Sequence, residues 1–273
     1  MLAIDVDGTL VNSRDELTPR TRDALRQATA AGIRVVIATG RRYRRVLHLV
    51  EALRLDAPLV TASGALIKNP SDHVTLFQAD FGPRVLLRLL DVVATAGYEA
   101  MLYGDTFAEG FDFYCPPIAS PGPELAEFFA LNPGCQRETE RMMTHPPDGV
   151  FAGFVMGTRD EMTALAGRLE AALPGSLCLH VLRSPRYRGY MCEIAPQGIT
   201  KWSGVAHLAK AWGIDPREIC AAGDDVNDIP LIQSAGLGVA MGNADPRVKA
   251  AADRIAPAHD EDGLVEVVRW VLE

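Results

Sequence analysis

Asp5 and Asp7 flank Val6 directly after an apolar run, Leu2-Ala3-Ile4, and Gly8-Thr9 follows them. The apolar run reads as a buried strand, and the carboxyl ends of such strands are where open α/β sheets place their chemistry. Far downstream, Gly223-Asp224-Asp225-Val226-Asn227-Asp228 follows a second apolar segment, Ile219-Cys220-Ala221-Ala222, in the same strand-then-turn setting. Acidic strand ends so distant in sequence point to one folded site. Either segment alone is also the make-up of a turn or a helix cap, since Asp and Gly favour both. An EF-hand loop is excluded, because Gly8 comes too early in the run and a strand, not a helix, precedes it.

Two further elements carry phosphate chemistry. The β-branched run Ile33-Arg34-Val35-Val36-Ile37-Ala38 stops at Thr39-Gly40-Arg41, and a hydroxyl with free backbone N–H groups at a strand end can hold a phosphate oxygen. Lys201, in Gln197-Gly198-Ile199-Thr200-Lys201, stands just inside a helix, where an ammonium acts as a point charge on a phosphoryl group. Taken singly, each reads first as structural, a strand-ending turn or a solvated helix lysine.

In order and spacing the four elements resemble the motifs of the haloacid dehalogenase superfamily of phosphatases, in particular the Cof-type branch with a large inserted cap. Asp5 and Asp7 match the first motif, Thr39 the second, Lys201 the third, and Asp224, Asn227 and Asp228 the fourth; Met241-Gly242-Asn243-Ala244 extends the likeness. The resemblance implies that Asp5 is a nucleophile taking the phosphoryl group as an aspartyl-phosphate. Asp7 would protonate the leaving oxygen and then deprotonate the attacking water. Splitting hydrolysis this way replaces one difficult step by two easier ones.

Several carboxylates approaching a phosphate dianion repel it unless a divalent cation bridges them, and magnesium suits hard oxygen ligands. The expected ligands are the Asp5 carboxylate, the Asp7 backbone carbonyl and Asp224, with Asp228 present directly or through a water. Thr39, Gly40, Arg41 and Lys201 are expected on the phosphate, and Asn227 beside it, orienting its neighbours. Charge placement of this kind supplies most of the catalysis of phosphoryl transfer.

The chain departs from the family pattern in three places. Ser63-Gly64 stands where Asn-Gly is usual, Trp202 follows the lysine where glycine is common, and Pro230 interrupts the run after Asp228. None of these removes a reacting group. Trp202 is expected to pack against the core.

The elements that must position these residues alternate along the chain. Strands are expected at 2–5, 33–38 and 58–62, with helices at 18–31 and 42–54. Further on come a helix at 200–212, a strand at 219–222, a helix at 227–234, a strand at 237–240 and a last helix from Asp262. Thr18-Pro19 is a good helix start. This alternation predicts an α/β fold with a doubly wound, Rossmann-like parallel sheet. The first strand is short, which leaves room for a start upstream of Met1. If Gly40 opens a helix, Arg41 and Arg45 share a face of it near the phosphate, with the remaining arginines of Arg41-Arg42-Tyr43-Arg44-Arg45 solvated.

Residues 82–193 have another texture: an amphipathic helix through Val85, Leu86, Leu89, Leu90 and Val93, strands at 98–102, 150–156 and 177–182, a helix at 160–172, and Pro/Gly-rich turns from Cys115 to Pro123 and near residues 132–134 and 146–147. This predicts an inserted α+β cap domain, residues 1–81 and 194–273 forming the core, with hinges near Phe81-Gly82-Pro83 and Glu193 to Gly198. The core motifs recognise only phosphate and metal, so the cap is expected to choose the substrate. Arg183, Arg186 and Tyr187 are its candidate specificity residues, suited to a phosphorylated sugar or a cofactor such as pyridoxal phosphate or flavin mononucleotide. The same segment also reads as an exposed hairpin with solvated arginines.

At 273 residues and 48% hydrophobic the chain can build a sizeable core plus an insertion. The five cysteines form no C-x-x-C pair, which argues for reduced, mostly buried thiols. A net charge of −8 argues against nonspecific binding to nucleic acid or anionic membrane. No apolar stretch has the length of a membrane span and no signal precedes the first strand, so the expected location is the cytoplasm; separately, the expected state is a monomer or weak homodimer. The resulting expectation is a magnesium-dependent phosphatase of small phosphomonoesters. The alternatives are a phosphomutase or phosphotransferase that passes the phosphoryl group to a sugar hydroxyl, which product analysis separates, and a non-catalytic metabolite-binding protein, which the presence of all four motifs disfavours.

Overall fold

A computed structural model describes residues 1–183 and 187–273. The chain forms two compact units, one of Met1–Phe77 with Thr200–Glu273 and one of Gln78–Ile199. The insertion is wider at each end than residues 82–193. At its far end the reason is local: the strand that ends it runs to Pro196, and Gln197 N–H bonds to Ser176 O of the same unit (3.0 Å).

The first unit begins with β1 (Leu2–Ile4), α1 (Pro19–Ala30), β2 (Val35–Ile37), α2 (Leu47–Leu53), β3 (Leu59–Thr61), β4 (Leu66–Lys68) and β5 (Thr75–Gln78). The insertion contributes α3 (Pro83–Thr95), β6 (Met101–Gly104), β7 (Phe113–Cys115), α4 (Pro123–Leu131), β8 (Gln136–Glu138), β9 (Val150–Gly157), α5 (Arg159–Ala172), β10 (Leu177–Leu182) and β11 (Tyr190–Pro196). The chain then returns through α6 (Lys201–Trp212), β12 (Cys220–Gly223), α7 (Ile229–Ser234), β13 (Leu237–Ala240), α8 (Pro246–Ala251), β14 (Arg254–Ile255) and α9 (Gly263–Leu272).

In the first unit β14-β13-β12-β1-β2 form a parallel sheet. Leu2, Ala3 and Ile4 are fully buried, as a central strand of a parallel sheet covered on both faces requires. Three residues suffice because neighbours pair with β1 on both sides. Ile4 is in register with Ile37 and with Ala222, which sets Asp5, Ala38 and Gly223 at one level. Beyond β2 a bridge from Ala38 to Val60 leads to the small sheet β3-β4-β5. α6 packs its Val205, Leu208 and Ala209 on Ala3, Val36, Val60 and Ala221, with Trp202 against the same cluster. Each fully buried large apolar side chain of this kind contributes about 2 kcal/mol.

The second unit is a six-stranded mixed sheet in the order β10-β11-β9-β6-β7-β8. Leu86, Leu89, Leu90 and Val93 of α3 and Met162, Leu165 and Leu169 of α5 cluster with Leu102, Val155 and Ile194 of the strands. Phe154, the neighbour of Val155 on β9, instead meets Phe113 and Phe128, because successive strand residues face opposite ways. The start of α5 is fixed by a capping box in which Thr158 and Glu161 satisfy each other's free backbone N–H groups.

The helix expected at 42–54 is shorter, because residues 43–45 form a single tight turn and α2 begins only at Leu47. Arg42 is buried and Arg44 and Arg45 are half-buried, so this run is not a solvated helix face. Pro230 lies in the first turn of α7, where a missing N–H costs nothing. All five cysteines are free thiols; Cys115, Cys192 and Cys220 are buried, and Cys135 and Cys178 are half-buried. No helix among the described residues is long and apolar enough to cross a membrane.

Candidate active site

The sheet register delivers acids and a hydroxyl to one edge. Asp5 leaves β1 by donating its N–H to Ala222 O (3.0 Å). The chain then makes a wide turn, closed by Val11 N–H on Val6 O at 3.1 Å. Gly8 makes that turn possible at φ +75°, and a Cβ on it would lie 2.1 Å from Asp224 Oδ2. The two acidic loops therefore touch through an atom that only glycine lacks. Gly223 does the same for the other acid, since its Cβ would lie 2.4 Å from Asp228 Cγ.

Lys201, the first residue of α6, is buried between two carboxylates, with Nζ 2.8 Å from Asp5 Oδ1 and 2.7 Å from Asp228 Oδ1. Its helix start is set by Thr200, whose hydroxyl accepts from Ser203 N–H (3.1 Å), while Ser203 Oγ accepts from Thr200 N–H (2.9 Å). Burial alone would lower the lysine pKa, but the charges and hydrogen bonds of Asp228 and Asp5 raise it, so the ammonium stays charged. This excludes the solvated helix lysine. The other oxygen of Asp228 accepts from Asp224 N–H (3.0 Å) and Asp225 N–H (3.1 Å).

Oxygens of Asp5, Asp224 and Asp228 lie within 4.8 Å of one another. Burial, the largest cause, pushes the Asp224 carboxyl up to about 9, with the charges of Asp5 and Asp228 acting the same way and Lys201 opposing. Burial likewise pushes Asp5 up to about 7, against the pull of Lys201. Three acids around one ammonium can be ionised together only with further positive charge beside them, which a divalent cation would supply. The Asn227 side-chain oxygen, buried and without a hydrogen-bond partner, adds a hard oxygen to the same loop. This donor set fits magnesium, a hard cation taken up by carboxylates and water.

Asp7 stands apart from that triad. Both of its oxygens accept from Arg41, Oδ2 from Nε at 2.8 Å and Oδ1 from Nη2 at 2.7 Å, and Arg41 also pairs with Asp15. Burial would lower the Arg41 pKa; the hydrogen bonds and charges of Asp7 and Asp15 raise it instead. Gly40 and Arg41 are thus not the opening of a helix that presents Arg41 and Arg45 together. The backbone there is held open, with Arg41 O accepting from Ala62 N–H (3.1 Å) and Arg41 N–H donating to Thr39 Oγ1 (3.1 Å). Having accepted that bond, the Thr39 hydroxyl still carries a proton to donate. Ser63, in place of the usual Asn, holds a left-handed φ of +54° and donates its N–H to Thr39 O (3.0 Å).

Of the candidates in the second unit, Arg183 is exposed. Tyr187 belongs to that unit's own packing: its ring meets Phe128 at 4.9 Å between centroids and its Oη accepts from Asn132 Nδ2 at 3.0 Å. Arg186 lies outside the described residues. Sequence reasoning did not single out Asp15 or Thr9. Asp15 sits in a polar run that reads as exposed loop, and Thr9 was read only as part of the first turn, yet its hydroxyl donates to Asp224 Oδ1 (3.2 Å).

The family model for haloacid dehalogenase-like hydrolases matches residues 2–268. Among curated proteins the chain is similar to the 5-amino-6-(5-phospho-D-ribitylamino)uracil phosphatase YcsE of Bacillus subtilis (strain 168), at 29% identity over 100% of this chain and 96% of that protein. Phosphatase YwpJ of the same organism is 26% identical over 100% of this chain and 99% of its own length. Among solved structures, a haloacid dehalogenase-like hydrolase from Bacteroides thetaiotaomicron matches with a TM-score of 0.80 and 30% identity, covering 99% of this chain and 98% of that one. A match that runs through both acidic loops, the Thr39 strand end and the buried lysine leaves one assignment: the chain belongs to the haloacid dehalogenase-like hydrolases, as a phosphatase of that superfamily.

Proposed function

We propose that this phosphatase hydrolyses small phosphomonoesters, sugar phosphates or phosphorylated cofactors, with magnesium and through an aspartyl-phosphate on Asp5. The observation that carries this reading is the Asp5 carboxylate at the end of β1, its Oδ1 held 2.8 Å from Lys201 Nζ within a triad of acids. An Asp5 oxygen attacks phosphorus as the ester P–O bond breaks, and Asp7, entering this step as the protonated acid, gives its proton to the departing alkoxide. Water then attacks the phosphoryl group while Asp7 takes a proton back, releasing phosphate and restoring the Asp5 carboxylate. Thr39 and Lys201 donate to the phosphoryl oxygens, where charge builds.

When bound, the cation screens the acids from the phosphate dianion and polarises the phosphoryl oxygens. Asp5 and Asp224 are its direct ligands in this reading, with the Asp7 carbonyl and Asn227 beside them. Asp228, its oxygens taken by Lys201 and two backbone N–H groups, supports from behind. The substrate class is supported by a curated relative named for a phosphorylated ribityl compound. A magnesium-dependent phosphate-release screen over phosphorylated sugars and cofactors tests it. Turnover concentrated on a few such esters supports the reading, and absence of release from every member overturns it.

A further inference from the structure

Asn243 lies just after β13 in Met241-Gly242-Asn243-Ala244, a segment that supplies none of the reacting groups. Its side chain nonetheless joins three distant parts of the first unit. Nδ2 donates to Gly8 O at 2.8 Å and lies 3.4 Å from Asp224 Oδ2, while Oδ1 accepts from His259 N–H at 2.9 Å. At the other carboxylate oxygen, Thr9 Oγ1 donates to Asp224 Oδ1 at 3.2 Å. The Gly8 Cα closes the space between, since a Cβ there would lie 2.1 Å from Asp224 Oδ2. The Asp224 carboxylate thus has a side-chain donor from another segment on each oxygen and a wall of backbone beside it. Both donors come from outside its own loop.

We propose that Asn243 is a positioning residue that fixes the orientation of Asp224, and with it the cation affinity of the site; this rests on the reading of Asp224 as a cation ligand. Hydrogen bonds to a ligating carboxylate select its rotamer while leaving lone pairs for the cation, and such outer partners govern affinity. The amide suits the position because one NH2 group serves a carbonyl and a carboxylate at once, and its oxygen meets the N–H of His259. Without it, the Asp224 carboxylate keeps only the Thr9 donor on Oδ1 and is held less firmly, and the Gly8 turn loses its side-chain tie to the β13 loop. A cation at high concentration restores the arrangement, so the loss falls on affinity and not on the chemical step.

The test is calorimetric titration of magnesium chloride into wild type, Asn243→Ala and Asn243→Ser without substrate. Metal-free melting temperatures and kcat at rising magnesium accompany it. The expected result is magnesium binding weaker by roughly tenfold in both variants, metal-free melting close to wild type, and kcat restored at saturating magnesium. Wild-type affinity in both variants overturns the proposal. So does a kcat loss that magnesium does not restore, or a metal-free melting temperature lowered as much as the metal-bound one, which marks a purely structural role. A wild-type protein that itself takes up no magnesium overturns instead the reading of Asp224 as a ligand, and this inference with it.

Discussion

Arg41 holds Asp7 with two parallel hydrogen bonds, Nε to Oδ2 at 2.8 Å and Nη2 to Oδ1 at 2.7 Å, and is itself anchored by Asp15. A guanidinium fork fixes a carboxylate in plane as well as in place, which a lysine cannot do. If Asp7 is the group that protonates the leaving oxygen, Arg41→Ala should disorder that proton delivery. kcat/KM on an alkyl phosphate should then fall by about a hundredfold. On p-nitrophenyl phosphate, whose phenolate departs without a proton, it should fall far less. Steady-state kinetics on both esters check this, and equal losses would contradict the role given to Asp7.

Lys201 neutralises two buried acids at once, so its removal should be felt in folding as well as in turnover. Lys201→Met keeps an unbranched side chain one atom shorter but leaves Asp5 and Asp228 facing each other without a counter-charge. Breaking a buried pair by removing one partner costs about 3–5 kcal/mol. Urea unfolding of metal-free protein at pH 8 should show a loss of that size. At pH 5 the loss should shrink, because Asp5 can take up a proton there. A small loss equal at both pH values would contradict the account.

The metal-free protein should also lose stability as pH rises. In the native state the carboxyl of Asp5 is raised to about 7 and that of Asp224 to about 9, while in the unfolded chain both titrate near pH 4. Between those values the native state holds protons that the unfolded state has released, so unfolding becomes easier with each step up in pH. Magnesium takes the place of those protons. Its stabilising effect on the melting temperature should therefore be larger at pH 8 than at pH 5, and a shift that shrinks with rising pH would contradict the assignment.

The sheet was legible because its strands end in recognisable groups: Asp5, Thr39 and Asp224 each follow an apolar run, and the parallel register then brings those ends together. Lys201 was legible from its place in the third motif, although its burial was not, because sequence alone does not distinguish a lysine between two carboxylates from one in water. Other parts depended on contacts remote in sequence. The backbone at Gly40–Arg42 stays open since Arg41 reaches back to Asp7 and Asp15, which no local propensity signals. α4 was missed because Pro123 ends a Pro/Gly-rich stretch and is also the first residue of the helix. Tyr187 was legible only as a candidate specificity residue; that its ring meets Phe128 and its hydroxyl Asn132, both far from it in the chain, no local pattern signals.

Whether Asp5 carries the phosphoryl group is tested by phosphate release from Asp5→Asn beside wild type in magnesium. The amide is nearly isosteric and can still accept from Lys201, so the variant should fold, but it is a poor nucleophile. Asp5→Asn should release phosphate at the background rate on every ester that wild type hydrolyses. A folded Asp5→Asn protein turning over within about tenfold of wild type would contradict Asp5 as the carrier of the phosphoryl group.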